Sequence, residues 1–210
     1  MIRALIADDH AVVRQGLRQI LLETTDMVVT GEAANGPEAL ERARAGGYDV
    51  VVLDITMPGR SGLEALKEIK EARPKLPVLV LSMHPEDQFA VRVLKSGASG
   101  YMTKESAPEE LVGAVKKVLA GGRYVSPALA EKMASYLAID TPNPPHERLS
   151  DREFTVLRMI ASGKTVSQIA VELSLSVKTV STYRTRILEK MGMASNAELT
   201  HYAIKNQLVE

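Results

Sequence analysis

Residues Val50–Gly59 read VVVLDITMPG. Four apolar residues, three of them β-branched, run straight into a carboxylate, Asp54, and the chain turns at Met57-Pro58-Gly59. A short apolar run bounded by proline and glycine reads as a strand buried on both faces. Such strands belong to parallel sheets covered by helices on either side. Asp54 then stands at the carboxyl end of its strand, where open parallel sheets place their ligands.

The same pattern extends both ways. Apolar runs stand at Ala4–Ala7, Val28–Thr30, Val78–Leu81 and around Tyr101. Segments of helical period lie between them: Ala11–Leu22, with Val13, Leu17, Ile20 and Leu21 on one face, then Pro37–Ala45, Leu63–Ala72, Gln88–Lys95 and Ala107–Ala120. Five strand-helix units make one doubly wound α/β domain. Ser106 and Glu109 are spaced as a capping box for the last of these helices, which stops at Gly121-Gly122.

The strand ends share a chemistry. Asp8-Asp9 follow the first strand, Asp54 ends the third, Ser82 the fourth, and Lys104 follows the fifth. Each has an ordinary reading alone: a helix cap, a surface lysine, a strand-end hydroxyl. Their meeting at one crevice is what argues for a site. Three carboxylates there repel each other, and part-buried they are costly unless compensated. Mg²⁺ takes one or two carboxylates, a carbonyl, waters and a phosphate oxygen, and so fits. A bare carboxylate is also a nucleophile toward phosphorus. Lys104 and Ser82 are placed to pair with the charge that a phosphoryl group would add.

Asp8-Asp9, Asp54 with Met57-Pro58-Gly59, Ser82, Tyr101 and Lys104 resemble the receiver domain of two-component response regulators. The resemblance covers about residues 1–120. It implies a flavodoxin-like strand order 2-1-3-4-5 and Asp54 as phosphoacceptor. It implies Mg²⁺ held by Asp9, Asp54 and the backbone carbonyl of Thr56, with Asp8 acting through water. Ser82, Tyr101 and Lys104 would be the switch residues, and a sensor histidine kinase the phosphoryl donor. One departure is Met83, where many receivers carry a small residue; its bulk is expected to narrow the route to Asp54. Thr56 and His84 occupy variable positions that tune phosphoryl lifetime in the family.

The chain has 210 residues, 45% hydrophobic and 25% charged, with no cysteine. Disulfides and thiolate metal sites are excluded, and the histidines lack metal-ligand spacing. No apolar run nears the roughly 18 residues of a membrane span. MIRALIADDH passes quickly from apolar residues to acids, unlike a signal peptide, so the cytoplasm is the expected location. Net charge is zero, and residues 146–210 hold 9 Lys/Arg against 7 Asp/Glu. That bias only permits a nucleic-acid partner.

Residues 1–121 are read as the first domain and 122–147 as a linker. The linker carries a helix at about 127–138, capped by Ser126-Pro127, and a proline-rich stretch at 141–145. Residues 148–210 are read as a small all-α domain of four helices. Capping boxes stand at Ser150/Glu153 and Thr165/Gln168, Ser176 caps a third helix to about Met191, and the fourth covers about Asn196–Lys205. A helix ending near Leu173, the turn Ser174-Leu175-Ser176 and the longer helix after it make a helix-turn-helix.

In that second helix Val180, Tyr183, Ile187 and Met191 share one side, with Val177 and Leu188 at its edge. Residues 176–191 hold Lys178, Arg184, Arg186 and Lys190 against Glu189 alone. Ser181, Thr182 and Thr185 are expected to face bases, and Lys178, Thr179, Arg184, Arg186 and Lys190 the phosphates. Arg184 falls toward the apolar side. Leu149–Met193 resembles the LuxR-type helix-turn-helix of the NarL/FixJ response regulators. The resemblance implies a transcription regulator that binds paired half-sites of double-stranded DNA as a homodimer, with the last helix in dimerisation. RNA polymerase is a further partner it allows. Two rivals remain open: an aspartate-dependent phosphatase, which typically needs a second acid where Thr56 stands, and a phosphate-independent DNA-binding module.

Overall fold

The run Val50–Leu53 is the core of the third of five parallel strands. In the computed structural model, which describes residues 1–57, 62–83, 88–138, 144–206 and 208–209, all four side chains are fully buried. Burial of each contributes about 1.5–3 kcal/mol, which offsets the desolvation of the polar groups at the strand end. The strands are β1 (Ile2–Ala7), β2 (Met27–Ala33), β3 (Val50–Asp54), β4 (Val78–Ser82) and β5 (Gly100–Thr103), ordered β2-β1-β3-β4-β5.

Between the strands lie α1 (Ala11–Leu22), α2 (Gly36–Ala45), α3 (Gly62–Ala72) and α4 (Gln88–Lys95), and α5 (Ala107–Leu119) follows β5. On one face Ala4, Ile6, Val50, Val52, Leu79, Leu81 and Met102 pack against Leu17 and Leu21 of α1 and Leu111, Ala114, Val115 and Val118 of α5. Alternation sends Leu5, Val51, Leu53 and Val80 to the other face, where they are equally buried. The register aligns the strand ends: Ala7 lies opposite Leu53, Asp54 opposite Leu81, and Ser82 opposite Thr103. The residues that end β1, β3, β4 and β5 therefore share one rim.

Two local expectations are corrected. Ser106 is not a capping-box residue: its backbone is helical, and its hydroxyl donates to the Thr103 carbonyl instead of accepting from Glu109. β2 continues through Gly31 to Ala33. Within it, Gly31 leaves the space that the Tyr48 ring occupies, with Cε1 2.7 Å from where a Cβ would stand.

The chain clusters into two compact units, residues 1–136 and 137–210. α6 (Pro127–Ala138) begins as the sequence suggests, the Ser126 hydroxyl accepting from the Leu129 amide at 3.1 Å. Within the proline-rich stretch, 141–143 lie outside the described residues, as do Pro58, Gly59 and His84; Pro144 is extended. A 3₁₀ turn at Pro145–Arg148 follows, then α7 (Asp151–Ala161), α8 (Val166–Glu172), α9 (Val177–Met191) and α10 (Asn196–Lys205).

Both expected capping boxes form, at Ser150/Glu153 and Thr165/Gln168. The turn between α8 and α9 closes with Leu175 N–H on the Ala170 carbonyl at 2.8 Å and Ser174 in the left-handed region. Phe154, Leu157, Ile169, Val180, Ile187 and Leu199 are buried in this unit. His146 is buried against Phe154 and Tyr202, its Nδ1 2.7 Å from the Tyr202 hydroxyl.

Candidate metal centre and nucleic-acid interface

Asp54 is 1% exposed at the rim of the sheet. Its Oδ1 accepts the Thr56 amide at 2.9 Å and its Oδ2 accepts Lys104 Nζ at 2.8 Å. The same ammonium lies 2.6 Å from Oδ2 of Asp8, which is fully buried. Lys104 is anchored by its own amide, which donates to the Ser82 carbonyl. Ser82 and Tyr101 are fully buried in β4 and β5. Met83 turns outward, 65% exposed.

The close approach of α3 to the end of β3 shapes this corner. Gly62 N–H donates to the Ile55 carbonyl at 3.1 Å. A Cβ on Gly62 would collide with the Asp54 carbonyl and lie 2.5 Å from Ile55 Cα. Only a glycine lets the helix seat this tightly under the carboxylate.

Burial raises the Asp54 pKa above its ordinary value, against the lowering effect of Lys104 and the Thr56 amide. For Lys104 burial is the largest single influence and lowers the pKa, but Asp54 and Asp8 together outweigh it and leave the pKa raised. The ammonium is thus the resident counter-charge of two buried acids.

Asp9 adds a third carboxylate and His10 an imidazole. Oxygen or nitrogen atoms of Asp8, Asp9, His10 and Asp54 all lie within 4.8 Å of one another. Asp8 Oδ2 and Asp9 Oδ1 are buried with charge neighbours, Lys104 and His10, but no aligned hydrogen bond. Acidic oxygens left in that condition fit a hard divalent cation. His10 was missed in the sequence because spacing rules look for histidine pairs; its signal was its place directly after Asp8-Asp9 at a strand end.

In the second unit, Ser176 accepts the Thr179 amide and starts α9. Val180, Ile187 and Met191 are buried, while Lys178, Ser181, Thr182, Thr185 and Arg186 are exposed together. The Thr182 and Thr185 hydroxyls donate to the carbonyls of Lys178 and Ser181, and their lone pairs stay outward. Thr179 pairs with Ser176.

Two cations assigned to phosphates are engaged within the unit. Arg184 Nε donates to Asn196 Oδ1 at 2.6 Å, tying α9 to α10, which accounts for its position near the apolar side. Lys190 Nζ donates to Oε2 of buried Glu153 at 2.6 Å. In α10, Leu199 and Ala203 face inward, and Ala197, His201 and Ile204 are exposed at helical spacing.

Among the described residues no helix is long and apolar enough to cross a membrane. Residues 4–116 match the family model of the response regulator receiver domain, and residues 147–203 that of the bacterial regulatory proteins of the luxR family. The chain is 38% identical over 209 residues to the response regulator UvrY of Escherichia coli, covering 99% of this chain and 96% of that protein. It is 40% identical to the response regulator GacA of Pseudomonas viridiflava, covering 100% and 99%. Among solved structures it is similar to RcsB of Salmonella enterica serovar Typhimurium bound to the promoter rprA in the presence of phosphomimetic BeF3⁻. That similarity has a TM-score of 0.66 at 29% identity, covering 96% of this chain and 97% of the other. The parallel sheet with its acidic rim and the helix-turn-helix thus belong to a response regulator of the NarL/FixJ family, a transcription regulator with a receiver domain and a LuxR-type DNA-binding domain.

Proposed function

We propose that Asp54 is the phosphoacceptor of this regulator and that a sensor histidine kinase supplies the phosphoryl group. One observation carries the reading: Lys104 Nζ bridges Asp54 and Asp8, at 2.8 and 2.6 Å, at the buried end of a parallel sheet. The Asp54 carboxylate attacks phosphorus, the bond to the kinase imidazole breaks, and that nitrogen leaves with the electron pair. Asp9, Asp54 and the Thr56 carbonyl would hold Mg²⁺, with Asp8 acting through water; the ion would supply neutralisation of the phosphoryl oxygens. Lys104 then leaves the carboxylate for the phosphoryl oxygens, and the Ser82 hydroxyl follows the new charge. Thr56 stands where an aspartate-dependent phosphatase has its second acid, so turnover is confined to slow self-hydrolysis.

Tyr101 is the link to the rest of the chain. Its amide donates to the Tyr124 carbonyl at 2.9 Å, and the Tyr124 amide donates to Ser99 at 3.0 Å. A shift of β5 therefore reaches the residues that lead into α6. We place the domain boundaries at 1–121 and 148–210, with 122–147 as the linker.

The activated form binds DNA as a homodimer in the cytoplasm. Ser181, Thr182 and Thr185 of α9 read bases, while Lys178, Thr179 and Arg186 hold phosphates. Arg184 and Lys190 reach phosphates only by leaving Asn196 and Glu153. α10, from Asn196 to Lys205, supplies the dimer face through Ala197, His201 and Ile204, and half-sites lie about one helical turn, ~10 bp, apart. RNA polymerase is the further partner of the DNA-bound form. The test is intact mass after incubation with acetyl phosphate and Mg²⁺. One phosphoryl adduct is expected on the wild type and none on Asp54→Asn or without Mg²⁺; an adduct retained by Asp54→Asn would refute the assignment.

A further inference from the structure

His10 is the N-cap of α1, yet its side chain makes no capping hydrogen bond and is 66% exposed. Nothing in the helix start requires an imidazole. The ring instead turns to the acids: Nδ1 lies 3.0 Å from Asp9 Oδ1 and 3.5 Å from Asp8 Oδ1. These separations have a coordination meaning. Two adjacent ligands of an octahedral ion, each about 2.1 Å from it, are about 3.0 Å apart; two on a tetrahedral edge are about 3.3 Å apart. One ring nitrogen of His10 and one carboxylate oxygen from each of Asp8, Asp9 and Asp54 all fall within 4.8 Å of one another, a little more than the ~4.2 Å between trans ligands of one ion.

The geometry points to His10 as a further metal ligand, which makes this pocket accept a divalent transition-metal ion of the Mn²⁺ to Zn²⁺ series in preference to Mg²⁺. The inference rests on the reading of the pocket as a divalent-cation site. Its basis is the donor set. Mg²⁺ takes oxygen and keeps its waters, so an imidazole adds nothing to its binding. Ions later in the series accept imidazole, and affinity for mixed nitrogen and oxygen donors rises toward Ni²⁺. Lys104 engages Asp8 Oδ2 and Asp54 Oδ2, whereas His10 Nδ1 lies against Asp9 Oδ1 and Asp8 Oδ1. A cell's metal status would then bear directly on phosphoryl transfer at Asp54.

The test is calorimetric titration of the full-length protein with Ni²⁺ and, separately, with Mg²⁺. The wild type is compared with His10→Gln, and His201→Gln serves as a surface-histidine control. The expected result is a Ni²⁺ affinity at least about tenfold weaker in His10→Gln, a change of ~1.4 kcal/mol. Mg²⁺ affinity should be unchanged within about twofold in that variant, and His201→Gln should match the wild type for both ions. Pulsed EPR of the Mn²⁺-loaded protein gives a second readout, imidazole nitrogen coupling present in the wild type and absent in His10→Gln. Equal Ni²⁺ binding by the wild type and His10→Gln, with Mg²⁺ binding intact, overturns the inference alone. Absence of Mg²⁺ and Ni²⁺ binding in the wild type overturns both the inference and the pocket reading beneath it.

Discussion

Replacing Lys104 with alanine should weaken the fold and strengthen the metal site at once. The ammonium lies 2.6 Å from Asp8 and 2.8 Å from Asp54, and the three side chains are 10%, 0% and 1% exposed. Removing one partner of a buried ion pair costs about 3–5 kcal/mol, because the remaining charge is left uncompensated. Burial raises the Asp54 pKa, so its charge is the easier of the two to relieve once Lys104 is gone, and the loss is expected at the lower end, about 3 kcal/mol. The same lysine opposes any cation entering the pocket. Two unit charges about 4 Å apart interact by about 4 kcal/mol at an effective dielectric near 20. The ion carries two charges, which doubles that repulsion to about 8 kcal/mol; Lys104 can swing away from an entering ion, so only part of it, at least ~1.4 kcal/mol, is expected to be relieved, a tenfold or larger gain in Mg²⁺ affinity. Urea denaturation followed by circular dichroism, in chelator and in saturating Mg²⁺, reads the first effect; calorimetric titration reads the second. Mg²⁺ should stabilise the variant more than the wild type. A variant within ~1 kcal/mol of the wild type in chelator, with Mg²⁺ affinity unchanged or weaker, would refute the bridging role of Lys104.

Other perturbations test other parts. Gly62→Ala forces a methyl group against the Asp54 carbonyl; overpacking of about 1–3 kcal/mol should lower the melting temperature of the receiver and abolish the phosphoryl adduct. Burial raises the pKa of Glu153, but hydrogen bonds from Lys190 and Ser150 outweigh it and leave the pKa lowered. Its stabilisation is therefore complete above the unfolded value of about 4.3 and lost as pH falls through the lower folded value; hydrogen exchange of α7 amides should accelerate across that window in the wild type and not in Glu153→Gln. Lys178→Ala should weaken operator binding evenly across sequences and reduce the salt slope by about 1, read by fluorescence anisotropy over a salt series. Arg184→Ala loses the bond to Asn196, so about 1 kcal/mol of stability should disappear from the second unit in a melting experiment; a salt slope lower by about 1 would show that Arg184 leaves Asn196 for a phosphate in the DNA complex, and an unchanged slope that it stays.

Where one interaction dominated, the sequence was legible. Val50–Leu53 and Val78–Leu81 have no polar position to expose, so only a strand covered on both faces suits them. Asp54 and Lys104 could be placed because strand ends are fixed by the same apolar runs. Ser150/Glu153 and Thr165/Gln168 worked as caps because each helix start is local. Ser106 failed for the same local reason: Thr103, three residues back, offers a competing partner. Long-range pairs left no trace. Glu153 read as a cap alone, yet Lys190, 37 residues on, shares its carboxylate. Arg184 had no evident role until Asn196 was placed beside it.

The charges of the pocket bear on how the proposed phosphorylation switch would work. Asp8, Asp9 and Asp54 bring three negative charges, and Lys104 returns one positive charge, leaving two uncompensated. A divalent cation held by these acids would close that gap. Phosphorylation of Asp54, as proposed, would replace its single charge by roughly two on the phosphoryl oxygens, and the balance would be lost again. Lys104 would move to meet it, while Asp8 and Asp54 are held by the His10 and Thr56 amides. Its ammonium holds the bare acids Asp8 and Asp54, and in the proposed phosphorylated state it would hold the phosphoryl group instead. Ser82 is joined to the same choice through its carbonyl, which accepts the Lys104 amide at 2.8 Å. A side chain with two discrete arrangements, held on strands that cannot deform gradually, is the bistable element a switch requires. A full inversion from 1:99 to 99:1 needs about 5.5 kcal/mol of preference. A charge-assisted hydrogen bond contributes roughly 1.5–3 kcal/mol. The Lys104 exchange alone would therefore fall short, and on the proposed reading the Ser82 hydroxyl and the Tyr101–Tyr124 edge would have to add to it for the second unit to respond.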